Sequence, residues 1–240
     1  MAVENEGFYS TGILARVGRI DVGAGDDRLA VEAANSGFSS TGIDIQDEMT
    51  IFTDNNTDAA AGDTELSNDG RDRVDLTADN EGGIGFNFNT NNETLNEANR
   101  PEGDSPVGAL RIFTGGEDDR VNVTASNSGS MVEGVFGFQE AGFSLRQFVL
   151  HTGSDDDRVQ VRANNRGGTG FYVSDYVFIG TEQGDDDVNL SGREFGIEIP
   201  FFNTLIDGGE NGDDRLRSNF YIPSSIHDNF EDIPVFEIEH

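Results

Sequence analysis

Apolar residues recur at every second position in short runs along this chain, a period that predicts β-strands rather than helices. One such run follows each of six copies of an acidic turn, as in Leu29, Val31 and Ala33. The copies span residues 23–29, 68–74, 115–121, 153–159, 182–188 and 211–216. A glycine- and aspartate-rich turn that returns before the same alternating run is typical of a chain that repeats one supersecondary unit. The pattern therefore predicts a repeat architecture.

Two further strands are predicted in each repeat. After the first strand, motifs such as Asn35-Ser36-Gly37 predict a bend, because Asn and Gly tolerate left-handed backbone. A second apolar run follows, as in Gly85-Phe86-Asn87-Phe88, and a third, as in Leu110-Arg111-Ile112-Phe113, precedes the next acidic turn. We expect an all-β fold, a single-stranded right-handed parallel β-helix (β-solenoid) with three strands per coil. The hand is the default for parallel crossover connections.

The spacing of the repeats predicts where loops are inserted. One turn position is aspartate in every copy, at residues 27, 72, 119, 157, 186 and 214, so subtraction gives intervals of 45, 47, 38, 29 and 28 residues. Three strands of about five residues with short connections account for the shortest interval. The longer intervals predict two polar insertions, at about 54–70 and 90–108. The solenoid is expected over residues 1–220, and 221–240 is expected to be a C-terminal cap or an inter-subunit segment.

The first residues resemble the middle of a repeat. Residues 5–13 match residues 35–43 at seven of nine positions, so the chain opens inside a coil. The acidic turn and the strand expected before Asn5 are missing. We therefore expect head-to-tail self-association or continuation of a longer repeat array, because an open coil exposes unpaired strand edges.

The chain is strongly acidic, with 46 acidic and 15 basic residues and a formal charge of −31, and every basic residue other than histidine is arginine. Self-repulsion at this density destabilises a compact state unless cations or salt offset it. Adaptation to salt spreads carboxylates over a surface, whereas ion binding gathers them. Here the densest runs fall in the repeated turn, which favours bound cations. No basic patch for nucleic acid and no membrane-spanning run is present.

Candidate calcium ligands are the turn aspartates, because clustered hard oxygen ligands suit calcium and the chain has no cysteine for softer metals. They are Asp26, Asp27, Asp72, Asp118, Asp119, Asp156, Asp157, Asp185, Asp186, Asp213 and Asp214. The invariant column that begins with Asp27 shares the parity of Leu29, so we expect it to bind its own turn's backbone. The preceding column, which begins with Asp26, is the better ion ligand. Its alternative role is an ion-pair ladder with the neighbouring arginines.

The residues Gly23-Ala24-Gly25-Asp26-Asp27-Arg28-Leu29 resemble the Gly-x-Gly-x-Asp-x-Leu core of RTX-like calcium-binding repeats, the glycine/aspartate-rich haemolysin-type arrays of bacterial secreted and cell-surface proteins. Residues 212–216 match the second half of that core. The resemblance implies calcium bound by turn aspartates and backbone carbonyls, and an extracellular location. The chain departs from that family in having one acidic turn per three-strand repeat. A calcium site would then form between turns stacked about 4.8 Å apart.

We expect a non-enzymatic extracellular protein, a calcium-stabilised solenoid segment of an adhesin, a surface layer or a self-stacking fibre. A carbohydrate-active enzyme similar to polysaccharide lyases is one alternative, with Phe201-Phe202 and the Phe171, Tyr172 and Tyr176 region as its nearest sugar-binding candidates. The three histidines lack ligand-spaced partners. A salt-adapted solenoid without specific calcium sites is the other alternative. Sequons at Asn55, Asn92, Asn122 and Asn189 are compatible with surface glycans.

Overall fold

The computed structural model describes residues 1–5, 11–36, 41–53, 70–80, 84–87, 108–127, 141–165, 169–192, 196–209 and 212–230. These residues form an all-β fold of two parallel sheets, with one short 3-10 turn, Phe201–Asn203, as the helical element among them. Both predicted insertions fall largely outside the described residues. The all-β class and the parallel pairing predicted from the alternating runs are confirmed.

Sheet A contains β1 and the six strands that follow the acidic turns, stacked in chain order. They are β1 (Ala2–Asn5), β3 (Arg28–Asn35), β5 (Arg73–Asn80), β8 (Arg120–Asn127), β10 (Arg158–Asn165), β12 (Asp187–Gly192) and β15 (Arg215–Ser218). Equivalent positions of the repeats pair directly, so Leu29 lies opposite Val74, and Val74 lies opposite Val121. The alternating apolar runs therefore place one side chain per repeat at the same position of the sheet.

Sheet B contains the remaining strands, which also stack in parallel. They are β2 (Thr11–Asp21), β4 (Thr41–Phe52), β6 (Ile84–Asn87), β7 (Ala109–Phe113), β9 (Ala141–His151), β11 (Thr169–Gly180), β13 (Ile197–Glu198), β14 (Thr204–Asp207) and β16 (His227–Asp228). The chain alternates between the two sheets, and each strand pairs with its counterparts in neighbouring repeats.

The second and third predicted strands of a repeat are continuous in four repeats, as β2, β4, β9 and β11. Between the two halves the pairing register shifts by one residue, between Ala15 and Val17 and again between Val173 and Tyr176. A bulge of this kind bends a strand without ending it. The predicted third side of each repeat is thus a bent extension of sheet B, except where β6 and β7, or β13 and β14, are separate strands.

The inward side chains of the two sheets form one hydrophobic core. Sheet A contributes small residues such as Val121 and Ala125, and sheet B contributes larger ones such as Phe143 and Leu150, all fully buried. Phe143 stacks on Phe86 with ring centroids 4.7 Å apart. Burial of these side chains supplies most of the driving force for stacking the repeats.

A column of glycines on sheet B packs against a column of alanines on sheet A. A Cβ added at Gly142 would lie 2.6 Å from Cβ of Ala125 and 2.7 Å from the carbonyl oxygen of Gly170, and Gly85 meets Ala78 in the same way. The two sheets approach too closely here for any larger side chain. This explains why Gly and Ala recur at fixed positions in the repeat.

The two ends of the described stack differ from the expectation in one respect. Ala2–Asn5 forms β1 and pairs with Glu32–Asn35 of β3, so the prediction that no strand accompanies Asn5 is wrong. Its four residues, Ala2–Asn5, are too few to show an alternating pattern. At the other end, β16 pairs with β14, and Ile226 is buried. Residues 231–240 lie outside the described residues.

Candidate functional site

Each acidic turn joins a sheet B strand to a sheet A strand, and in four of the six turns two residues adopt positive φ angles. These are the fourth and second residues before the invariant aspartate, as in Gly23 (φ 95°) and Gly25 (φ 107°). Glycine adopts this left-handed conformation without steric cost, which explains the composition of the turn. Glu117, Asp155 and Glu182 adopt it in later copies, at φ 71°, 81° and 61°. Stacking on neighbouring turns therefore imposes the conformation even where glycine is absent.

The invariant aspartates form a column, here called the inner column, along the edge of the stack. Its members are Asp27, Asp72, Asp119, Asp157, Asp186 and Asp214, and all but the half-buried Asp27 are buried. Oδ1 of every member after Asp27 accepts a hydrogen bond from the backbone amide of the inner-column residue in the preceding turn, over 2.8–2.9 Å. The backbone carbonyl of each then accepts from the amide that follows the next aspartate, as from Arg73 to Asp27 at 2.9 Å.

This ladder differs from the sequence prediction, which assigned the invariant aspartate to the backbone of its own turn. The carboxylate does bind a backbone amide, but the amide belongs to the neighbouring turn. Adjacent strands lie about 4.8 Å apart, within reach of an aspartate side chain that points along the stack. The invariant residue therefore joins repeats to each other rather than shaping a single corner.

The residues before the invariant aspartates form a second column, the outer column, which is exposed. It contains Asp26, Arg71, Asp118, Asp156, Asp185 and Asp213. Its hydrogen bonds point the opposite way: Oδ1 of Asp156 accepts from the amide of Asp185 in the following turn at 3.0 Å, and Asp26 accepts from Arg71 at 3.1 Å. The exception Arg71 forms an ion pair with Asp118 at 3.2 Å. Successive turns are thus joined by aspartates in both directions.

Burial changes the protonation of the inner column. Loss of hydration raises the pKa of Asp157 to about 9 and that of Asp186 to about 7, and the neighbouring carboxylates add to both shifts. Burial also raises the pKa of Asp214. At pH 7 Asp157 is therefore protonated. Protonation of Asp157 lowers the charge that this buried edge holds.

A column of buried threonines lies beside the inner column, and the sequence analysis missed it. Its members are Thr53, Thr114, Thr152 and Thr181. The hydroxyl of Thr114 donates to the carbonyl of Thr152 at 3.4 Å. The Thr152 and Thr181 hydroxyls stand close enough to Asp157 and Asp186 to offset part of their pKa shifts. They fall short of hydrogen-bond geometry, so Oδ2 of each aspartate has no hydrogen-bond partner among the described residues. The sequence does contain a signal for this column, because a threonine lies five residues before the invariant aspartate in three copies.

The predicted metal ligands all lie on this one edge, but they divide into two sets. The inner column is buried and bonded to backbone amides, whereas the outer column faces solvent. In the part of the chain that the structure describes, no group of three or more His, Asp or Glu side chains is arranged to hold a metal ion. An ion at this edge would therefore need ligands from the outer column together with water.

Arginines form the next column on the outer face of sheet A, one residue after the inner column. This arginine column contains Arg28, Arg73, Arg120, Arg158, Asp187 and Arg215. Asp75 pairs with Arg73 at 2.7 Å and with Arg28 at 3.4 Å. The exception Asp187 lies 3.3 Å from Arg217 and 3.8 Å from Arg158. The predicted ion-pair ladder thus runs mainly within this face rather than from the outer column to the arginine column of one molecule.

The candidate sugar-binding aromatics do not share one surface. Phe171 belongs to the core, Tyr176 is exposed on β11, and Phe202 is fully exposed in the 3-10 turn. A separate aromatic row on the outer face of sheet B places His151 between Phe113 and Phe178, with ring centroids 5.4 and 4.6 Å away. Burial lowers the pKa of His151. His151 thus lies between two rings, which cover both of its faces.

Two of the four sequons lie in described strands. The side chain of Asn122, in the middle of β8, donates to Oδ1 of Asp75 at 2.7 Å, and Asn189 lies within β12. Asn55 and Asn92 lie outside the described residues. A glycan on Asn122 would have to break its bond to Asp75.

Among the described residues, no helix has the length and apolar character needed to cross a bilayer. Comparisons with protein-family models, with curated proteins and with solved structures found no match to this chain.

Proposed function

We propose that this chain is a right-handed β-solenoid segment, with three strand segments per coil, that serves as a non-enzymatic structural protein. The observation that carries the proposal is the inner column. Its five aspartate–amide bonds, each 2.8–2.9 Å long, join six successive turns. The most regular set of hydrogen bonds between side chains and backbone therefore joins successive repeats. An active site instead interrupts a repeat to gather unlike groups around one point.

The parallel pairing and the bent sheet B strands support the solenoid. The chain alternates between two parallel stacks and returns to an equivalent position in each repeat. The bulge in the sheet B strands supplies the third corner. The right hand is the default for parallel crossovers. Together with the resemblance to RTX-like arrays, this architecture favours an extracellular adhesin, surface layer or fibre.

Calcium is the proposed stabilising ion, and the outer column is its proposed site. Outer-column carboxylates on neighbouring turns, such as Asp156 and Asp185, are exposed and are stacked about 4.8 Å apart. Calcium binds oxygen at about 2.3–2.6 Å, so one ion can contact a carboxylate from each turn. Water molecules would complete its shell. The inner column is the poorer site, because protonated Asp157 would have to release its proton first.

Thermal melting with and without calcium tests the proposal. At a calcium concentration of about 100 times the dissociation constant, binding adds about 2.7 kcal/mol, which raises the Tm of a chain this size by about 5–10 °C over a sample in chelator. The triple variant D156N/D185N/D213N should abolish the difference. D157N, in the inner column, is the matched control and should retain it. Equal melting with calcium and chelator, with stability following sodium chloride instead, would indicate salt adaptation.

A further inference from the structure

The outer column and the arginine column carry opposite charges and lie two residues apart along the same edge. Both are exposed over most of their length: side-chain exposure is 46% for Asp118 and 61% for Arg158. Both have one residue per turn, so strand spacing sets the same pitch of about 4.8 Å in each. Along a strand, two residues separate the columns by about 6.6–6.8 Å. Charges of opposite sign are therefore repeated with an identical period on one surface.

Each column has one exception, and the exceptions are placed symmetrically. Numbered from the first turn, the outer column has Arg71 at the second position, and the arginine column has Asp187 at the fifth. If a second copy is laid antiparallel, its sixth turn faces the first, its fifth faces the second, and its fourth faces the third. Arg71 then faces Asp187 of the other copy, and Asp118 faces Arg158. All six facing pairs are of opposite charge.

We propose that the outer column of one copy binds the arginine column of a second copy, with the two stacks antiparallel and six turns overlapping. A parallel arrangement with equal overlap places Arg71 against Arg73 and Asp185 against Asp187, two like-charged pairs. One outer column and one arginine column are consumed at each contact. The contact is therefore heterologous.

The contacts within one molecule do not explain this correspondence. Arg71 pairs with Asp118 and Asp187 pairs with Arg217 and Arg158, so each exception relieves like-charge stacking in its own neighbourhood. Nothing in those contacts links the second turn to the fifth, which lie three strand spacings apart, or about 14 Å. In two antiparallel copies, the second turn of one copy faces the fifth turn of the other, which links the two exceptions.

The net charge of −31 opposes association of two copies, and ionic strength decides which effect dominates. At about 0.15 M salt the screening length is about 8 Å, near the separation of the two columns. Repulsion between distant parts of the copies is then largely screened, while facing pairs in contact are not. The occupant is a second copy rather than an anionic polymer, because a polymer laid on the arginine column would lie beside the outer-column carboxylates.

Sedimentation velocity of the full chain in chelator, at about 0.15 M salt and increasing concentration, measures the association. Species heavier than the 25.9 kDa monomer are expected. Raising salt to about 0.5 M should weaken the association about tenfold or more. Because chelator is present and mass is the readout, the result is independent of the calcium proposal, which is read from melting temperature.

Two substitutions test the register. R71D and D187R should each weaken association about tenfold, because each places like charges opposite one another, and the double variant R71D/D187R should restore it. Thermal melting of every variant checks that the fold is retained, and R19E, on sheet B, is the control for an added negative charge. Strengthened association in the single variants would support parallel stacks and overturn the proposal. So would a lack of rescue in the double variant, or a monomer at all concentrations that binds heparin.

Discussion

Raising the pH from 6 to 8 should destabilise this protein, because Asp157 and Asp186 must lose protons inside the stack. Burial raises their pKa values to about 9 and about 7, from 3.8 in an exposed aspartate. Between pH 4 and the raised pKa, the folded chain holds a proton that the unfolded chain has released. Stability is then greatest below pH 4 with respect to these groups, and it is lost as pH rises through each folded pKa.

The size of the effect follows from the two pKa values. Each retained proton gives a slope of about 1.4 kcal/mol per pH unit. Asp157 keeps its proton over nearly the whole interval from pH 6 to 8 and contributes about 2.7 kcal/mol. Asp186 titrates midway and contributes about 1.4 kcal/mol, so the combined loss is about 4 kcal/mol. That is a large share of the 5–15 kcal/mol typical of folded domains.

Urea unfolding followed by circular dichroism at pH 5–9, in chelator and at constant high salt, measures this loss. The variant D157N keeps an oxygen that can accept the Asp119 amide and replaces the protonated Oδ2 with NH₂, so its stability should depend less on pH. It should also exceed the wild type at pH 8. D156N, one residue away on the exposed column, makes the same change of side chain and should keep the wild-type slope. Stability that is level or rising between pH 6 and 8 would refute protonation of Asp157 and Asp186.

Three substitutions test the packing of the stack, each read from urea unfolding. F143A should cost about 3–5 kcal/mol, because Phe143 is fully buried in the core; an exposed site such as Phe202 should cost far less. G142A should cost about 1–3 kcal/mol, because its Cβ would lie 2.6 Å from that of Ala125, and A125G in the same chain should recover part of the loss. D157A at pH 5 should cost about 1–3 kcal/mol more than D157N, because the buried amide of Asp119 loses its acceptor.

Much of the fold could be predicted from the sequence, because the repeat is visible in the pattern of apolar and acidic residues. The alternation in Leu29, Val31 and Ala33 fixes which face is buried, and the repeated turns fix which strands are equivalent. The merging of the second and third strands could not be predicted as directly. Residues 44–49 contain no glycine or proline that would end β4, but a bulge depends on packing against neighbouring strands.

The candidate site was predicted in position but not in chemistry. The recurrence of Asp27 and its equivalents located the edge, and the parity of alternate residues separated the buried column from the exposed one. Parity does not say which turn supplies the partner of a carboxylate, because that depends on stacking in three dimensions. Nor does a sequence show how much hydration Asp157 loses, which decides whether it carries a charge.

The inner-column ladder has a consequence for the length of the repeat. Each turn is held by the turns on either side, so the chain between turns can vary. Strands β6 and β7 are separated by residues 88–108, yet both pair with β4 and β9 in the register that the continuous strands use. The length of the loop at such a corner has little effect on the free energy of folding, since loop-closure entropy grows only slowly with loop size. The corner between β6 and β7 is therefore a graft point where foreign peptides could be displayed at a fixed height along the stack.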